Sequence, residues 1–479
     1  MSTPEGPSSN DFQATEEILY EARKKIYARS VDGYFAKMRW AMVWFTQIIF
    51  YGLPWLRWDG RQAMLLDLTT RKFYFFGLIL WPQDVIFLAL LLIISAYGLF
   101  LFTAIAGRLF CGYACPQTVY SEIFMWIESK VEGDRLARIR LDNQPMNARK
   151  FARKSLKQAI WIAVALWTGF TFVGYFTAIH QLAGAVVTLS LSGWETFWIL
   201  FYGFATYGNA GYMPEQVCKY MCPYARFQSA MFDHDTLIIS YDAERGDPRG
   251  TRSRKIDARS QGLGDCIDCG LCVQVCPTGI DIRDGLQYEC IGCTACIDVC
   301  NGVMDKMKYP RGLIRYATQN GLAKHLTRAQ MLRSVARPRV LIYTAILVVI
   351  TGALLGSIAL RSPFRVDVVR DRASLARMVE GGQIENVYRL QVMNATEQPQ
   401  RYRVAVAGLP SLRVEGHDEL QVGPAEAQWL TVEVRLGAQA AVDAGPGVHP
   451  IHFEIQRLAT EPGATTVDES EKSTFVVPR

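Results

Sequence analysis

The chain has 479 residues, half of them hydrophobic, 12% aromatic and 20% charged, with a formal net charge of +6. That mixture suits a chain partly in lipid and partly in water, with room for about three domains. All 12 cysteines lie between Cys111 and Cys300, which argues against a disulfide-stapled fold and for metal or redox chemistry in a reducing compartment.

In chain order, Met1–Lys37 has no apolar signal region and reads as a cytoplasmic tail. Within it Ser2–Asn10 is expected to be disordered, and Phe12–Ser30 is either an amphipathic surface helix or a solvated segment. Five spans are expected, at Trp40–Leu56, Val85–Ala106, Ala159–Ile179, Thr196–Met213 and Val340–Leu360; Phe73–Trp81 is too short to cross and is placed at the interface. Residues 38–225 thus form a four-span membrane part, and 339–360 the fifth helix. The segment Gly107–Gln158 carries ten Lys and Arg residues, from Arg108 to Lys157, while His180–Trp194 carries none. The charge therefore reports orientation rather than nucleic-acid binding, and it places the N-terminus inside a bacterial inner membrane. Residues 226–338 follow as a cytoplasmic unit and 361–479 as a periplasmic one.

The motif Cys111-Gly-Tyr-Ala-Cys115-Pro116 follows the second span, and Cys218-Lys-Tyr-Met-Cys222-Pro223 follows the fourth. Tyr120 and Ser121 after the first match Phe227 and Gln228 after the second, so the two pairs of spans read as a duplicated hairpin. On a helix, cysteines four apart share one face, and the following proline stops or bends the backbone. Four thiolates brought together make a soft site for Cu(I), Zn(II) or an iron–sulfur cluster; the bland alternative is buried small residues. Met221, inside the second motif, is either a soft supplement or packing.

Arg245–Arg259 is basic and reads as a lipid-headgroup contact or a solvated linker. Next come two copies of C-x2-C-x2-C-x3-C, with a core over 257–305. This is the bacterial ferredoxin pattern for two 4Fe–4S clusters, in which the fourth cysteine of each run reaches the other cluster. Cys266, Cys269, Cys272 and Cys300 are thus assigned to one cluster, and Cys276, Cys290, Cys293 and Cys296 to its partner. A zinc ribbon would use two separated knuckles instead. Cys276 precedes Pro277, but Cys300 precedes Asn301, a departure expected to loosen the turn there. Lys306–Arg339 returns the chain to the membrane.

Beyond Arg361 the period changes. Val387–Val392, Tyr402–Ala407, Leu420–Val422, Gln428–Leu436, His449–Ile455 and Thr474–Val477 alternate apolar and polar residues between turn formers, as in an immunoglobulin-type β-sandwich. His417, His449 and His452 read as surface residues. The fold class expected is a multi-domain membrane protein: an α-helical part with five spans, an inserted two-cluster ferredoxin domain and a C-terminal all-β sandwich.

The motifs CGYACP and CKYMCP, the eight-cysteine run ending in CNG and the stretch RGDPRG at Arg245–Gly250 together resemble the CcoG/FixG/RdxA family of cytochrome c oxidase accessory proteins, over nearly the whole chain. The resemblance implies a cupric reductase that makes Cu(I) for assembly of cbb(3)-type oxidases. In that role Cys111, Cys115, Cys218 and Cys222 would be the copper or redox site, fed by the two clusters. It implies the oxidase copper-insertion machinery as a partner. No dinucleotide fingerprint is present, so electrons come from a cytoplasmic donor or a small reductant. Membrane lipids and a second copy in a homodimer complete the expected partners, with no nucleic acid. The paired motifs are also similar to membrane ferredoxins of the NapH and NosR kind. A quinol-linked electron-transfer subunit and a non-redox assembly scaffold therefore stand as alternatives.

Overall fold

The computed structural model describes residues 25–254, 259–371, 376–416, 418–458 and 467–479. Ser2–Asn10, most of Phe12–Ser30 and His417 lie outside the described residues. From Tyr34 the chain forms α1 (Tyr34–Gly52), an antiparallel sheet of β1 (Met64–Asp67), β2 (Lys72–Phe75) and β3 (Leu78–Leu80), and α2 (Val85–Ala106). There follow α3 (Leu109–Tyr113), α4 (Pro116–Glu132), α5 (Arg135–Asn143), α6 (Ala148–Val173), α7 (Ile179–Val187), α8 (Gly193–Thr206) and α9 (Pro223–Met231). The cysteine-rich segment is bracketed by β4 (Ile238–Tyr241) and β5 (Ile314–Ala317), with α10 (Ala295–Met307) between them, and α11 (Pro338–Ala359) leads out of it.

Among the described residues, three helices are long and apolar enough to cross a membrane: Pro82–Ala106, Ala148–Val173 and Pro338–Ala359. The expected count of five is not reached. α1 has 19 residues but carries Lys37 and Arg39 near its start, and α8 has only 14 residues. The third helix starts at Ala148 rather than Ala159 because its basic first turns are satisfied. Asn147 caps the helix by accepting from the Lys150 N–H at 2.8 Å, and Lys154 and Lys157 each reach Glu132 of α4 at 2.9 Å. Gly169 lets α6 press on α8, since a Cβ there would lie 2.9 Å from the Gly203 nitrogen. The duplicated hairpin is only half present. α6 packs on α8, but α2 lies along α11, while α1 packs on α3 and α6. The sheet follows α1 and precedes α2 in the chain; it is also where Phe73–Trp81 goes, as β2 and β3 joined by a turn at Phe76.

The C-terminal part is a two-sheet sandwich of β6 (Phe364–Arg370), β7 (Arg377–Val379), β8 (Gln383–Asn394), β9 (Gln400–Ala407), β10 (Leu412–Glu415), β11 (Glu419–Val422), β12 (Ala427–Leu436), β13 (Gly447–Leu458) and β14 (Val467–Val477). One sheet runs β10-β12-β8-β6 with β7 also on β8, and the other runs β11-β9-β13-β14. Alternating residues of both sheets, among them Phe364, Tyr388, Tyr402, Phe453 and Phe475, fill the core. The sandwich docks on the β1–β3 sheet. Arg61 pairs with Glu397, Lys72 donates to the Ala425 carbonyl at 2.7 Å and Gln83 donates to Asp367 at 2.7 Å. All the cysteines gather at the opposite end of the helices.

Candidate functional site

β4 and β5 pair antiparallel, with Ile239 opposite Tyr316, and so seal the eight-cysteine segment from both sides. Ile239, Ile297, Met304, Leu313 and Ile314 form its core. Within it are two apolar cavities. Cys266, Cys269, Cys272 and Cys300 line one, against Tyr241, Val303 and Leu313. Cys276, Cys290, Cys293 and Cys296 line the other, against Ile239 and Ile282, and Cys272 lines this cavity too. No disulfide joins any of the cysteines.

These residues fit two 4Fe–4S clusters. Burial pushes the Cys290 and Cys300 thiols up to about 12, and those of Cys272 and Cys293 up to about 11. Only a strongly cationic occupant would turn such buried thiols into thiolates, and an iron–sulfur core supplies that charge. Backbone N–H groups of Val273, Gly292, Ala295 and Ile314 face the sulfurs of Cys272, Cys290, Cys293 and Cys300, the hydrogen bonding that stabilises cluster thiolates. Among the described residues, no three His, Cys, Asp or Glu side chains converge closely enough to hold a single ion.

The expected loose turn after Cys300 is not there. α10 carries Cys296 and Cys300 and runs on through Asn301 to Met307, where a proline would break it. Asn301 instead accepts from the Gly312 N–H at 3.0 Å. The basic stretch after Arg245 also turns inward. Arg245 reaches Asp265 at 2.6 Å, and Arg252 donates to the carbonyls of Gly264 at 2.7 Å and Cys266 at 3.3 Å. Gly246 belongs to RGDPRG because Tyr241 packs where its Cβ would be.

The four remaining cysteines are neighbours, although no three of them converge closely enough to hold a single ion, and they do not lie along single helices. Cys111 lies in α3, whereas Cys115 is extended and caps α4, with Pro116 opening that helix. Cys218 lies in a π turn over Val217–Met221, and Cys222 caps α9 with Pro223 opening it. Each proline therefore starts a new helix rather than ending the old one, because its missing N–H costs nothing there. Burial and neighbouring sulfurs push Cys111 up to about 11 and Cys218 to about 12; Cys111, Cys115 and Cys222 all bear on Cys218. Burial raises Cys115 too, opposed by the Thr118 and Gln117 N–H groups at the start of α4. Cys111 Sγ donates to Gln228 Oε1 at 3.4 Å, and the buried Gln228 donates onward to Thr103 at 3.4 Å. Met221 is 59% exposed and takes no part.

The two cysteine regions touch. A Cβ on Gly112, inside the first motif, would overlap the Gly292 carbonyl in the loop between Cys290 and Cys293. Gly292 has φ +71° and faces the Arg108 carbonyl, at 2.8 Å from where its own Cβ would be. Around this contact Arg39 donates to the Cys293 carbonyl at 2.8 Å and pairs with Glu122 at 3.0 Å. Tyr113 shares a 2.7 Å hydrogen bond with Thr294, and Asp298 accepts from the Ala36 N–H at 2.7 Å. Nothing in the sequence marks Arg39, Asp298 or Gly292 as partners of the membrane helices; only the position of Gly112 and Tyr113 inside a motif hints at it.

Family models for a 4Fe–4S dicluster domain and a 4Fe–4S binding domain match residues 213–319 and 88–132, and one for an Ig-like fold at the C-terminus of FixG matches 354–478. The nitrogen fixation protein FixG of Rhizobium meliloti is 38% identical over 433 residues, covering 83% of this chain and 82% of the relative. Protein RdxA and protein RdxB of Cereibacter sphaeroides are 39% and 40% identical, each over 90% of this chain and covering 93% and 91% of the relatives. Among solved structures, a FixG-related protein from Vibrio parahaemolyticus is 28% identical over 24% of this chain and 97% of that chain, with a TM-score of 0.21.

Proposed function

The chain belongs to the family of FixG, RdxA and RdxB, iron–sulfur electron-transfer proteins, and from that premise we propose that it reduces Cu(II) to Cu(I) at Cys111, Cys115, Cys218 and Cys222. The observation that carries this reading is the contact of Gly112 with Gly292, which sets the Cys290–Cys293 loop against the segment that carries Cys111 and Cys115. Bound clusters supply electrons one at a time, and Cu(II) needs one. Cys266, Cys269, Cys272 and Cys300 would hold one cluster, and Cys276, Cys290, Cys293 and Cys296 the other. Thiolates prefer Cu(I), so the four-cysteine site favours the reduced product.

The arrangement is read as five spans with the cysteine end cytoplasmic and the sandwich periplasmic. Helical backbone continues from α8 through a π turn to Tyr212, which brings that segment near the roughly 20 residues a span needs. A cytoplasmic donor would reload the clusters, and Cu(I) would pass to the copper-insertion route of a haem–copper oxidase. The test is Cu(I) formation, read with a chromogenic chelator, in single serine variants of the four cysteines. Each should keep the iron of the eight-cysteine segment and lose Cu(I) formation; four variants as active as the parent would defeat the reading.

A second reading is favoured by the 4Fe–4S match over 88–132, which takes in Cys111 and Cys115. On it the four cysteines hold a further iron–sulfur centre that relays electrons onward. Iron content separates the two, at about 8 atoms per chain for the first reading and about 12 for the second.

A further inference from the structure

The sequence counts Arg108 among the cations that orient the membrane helices. The structure turns it inward. Arg108 lies between α2 and α3, is 7% exposed, and donates from Nη2 to the Ala225 carbonyl at 2.7 Å, three residues beyond Cys222. Its own backbone abuts Gly292 in the cluster loop, and Cys111 is three residues further on. Its Nε is buried without a hydrogen-bond partner. Other buried cations at this end have carboxylates: Arg39 has Glu122 at 3.0 Å, Arg138 has Glu128 at 2.6 Å and Lys157 has Glu132 at 2.9 Å. Among the described residues no carboxylate pairs with Arg108. A buried guanidinium is costly unless an anion answers it. Arg108 lines one pocket with Cys290 and Gly292, and its charge bears on the sulfurs of Cys111, Cys218 and Cys290, which become anionic only when they ligate a metal centre.

We infer that Arg108 is a counter-cation shared by the Cys276/Cys290/Cys293/Cys296 site and the four-cysteine site, and that it couples their reduction across the Gly112–Gly292 contact. The inference rests on the proposed function and names the residue that tunes it. Each electron added to a thiolate-ligated centre adds one negative charge. A fixed cation in a low-dielectric setting stabilises that reduced state and favours electron arrival beside the thiols. Arg108 lines neither cluster cavity but shares a neighbouring pocket with Cys290 and Gly292, whereas the cavity of Cys266, Cys269, Cys272 and Cys300 is lined by Arg283 instead, so that second cluster serves as an internal control.

The test is a potentiometric titration of full-length protein in detergent, followed by electron paramagnetic resonance of its two clusters. R108Q keeps a donor for the Ala225 carbonyl and removes the charge. At a given potential it should lower the reduced-to-oxidised ratio of one cluster roughly tenfold, a midpoint about 59 mV more negative, and leave the other in place. R108K should recover most of the shift. Unchanged midpoints in R108Q, or equal shifts of both clusters, would overturn the inference. Should R108Q not fold, Gly112→Ala carries the test, since it keeps the charge but forces the loop at Gly292 away. Reoxidation of its reduced clusters by Cu(II) should slow at least tenfold with iron content intact, and an unchanged rate would overturn the coupling. Parent protein with no reducible clusters would instead defeat the proposed function itself.

Discussion

The sandwich and the four-cysteine site both bury charge, and they treat it in opposite ways. In the sandwich, the fully buried Glu385 carboxylate is held by Arg435 at 2.6 Å and by Arg377, and at its root Asp84 is held by Arg361 at 2.5 Å. At the four-cysteine site, Arg108 has the Ala225 carbonyl, an electrostatic influence on Cys111, Cys218 and Cys290, and, among the described residues, no carboxylate. Carboxylate-paired charge fixes the geometry of a fold and is indifferent to electron count. A cation with no carboxylate, beside sulfurs that ligate a redox centre, changes its energy each time an electron arrives. Both ends of the molecule are rich in arginine, so the partner and not the residue type separates architecture from redox chemistry.

The largest effect that could break this contrast comes from the cluster cavities. A C290S/C293S variant removes two ligands from one cavity and should lose about half of the cluster iron and all Cu(I) formation above background, with the sandwich melting as before. Iron analysis and calorimetry read both halves; undiminished iron would undo the grouping of sulfurs into two sites. The converse is Glu385→Gln. Arg377 is 51% exposed and Arg435 27%, so water softens the loss to about 1–2 kcal/mol, below the figure for a sealed pair. Urea unfolding should show that decrease, while iron content and Cu(I) formation stay at parent level.

A smaller effect separates the two kinds of charge by pH. Burial alone would raise the Glu128 pKa, but Arg138, Lys157 and Lys25 outweigh it and hold the carboxyl below its ordinary 4.5. A depressed folded-state value means stabilisation that is present above pH 4.5 and is lost as the pH falls through the folded value. Melting temperature should therefore drop in acid, and Glu128→Gln should flatten that dependence. An equally steep acid loss in the variant would show that the α4–α6 charge network is not its source.

Much of this molecule is legible in its sequence, and the parts that are not share a cause. The spacing of the eight cysteines suggests two sets, because three close sulfurs and a distant fourth have few ways to surround a cubane, and the two cavities are lined by the same eight residues with Cys272 in both. The apolar runs at Val85–Ala106 and Val340–Leu360 are helices almost residue for residue. Strands such as Tyr402–Ala407 follow from alternation, whereas β10, only four residues long with Arg413 and Glu415 in it, does not. Prolines 116 and 223 are ambiguous in sequence, since a proline both ends one helix and opens another; only the extended Cys115 and Cys222 decide it. Arg108, Arg245 and Arg252 look like solvated or lipid-facing cations because sequence shows charge without its partner. Partners that receive them come from later segments of the chain: Ala225 for Arg108, Asp265 for Arg245, and Gly264 and Cys266 for Arg252.

The most direct test of electron flow from the clusters to the four cysteines is to reduce the protein fully, remove the reductant and mix it anaerobically with Cu(II). About two Cu(I) per chain should form as the reduced-cluster resonance disappears, one electron from each cluster. A C111S/C218S variant should keep both its clusters reduced and leave the copper as Cu(II). Reduced clusters that persist beside Cu(II) in the parent protein, or Cu(I) made at the parent rate by C111S/C218S, would contradict the account.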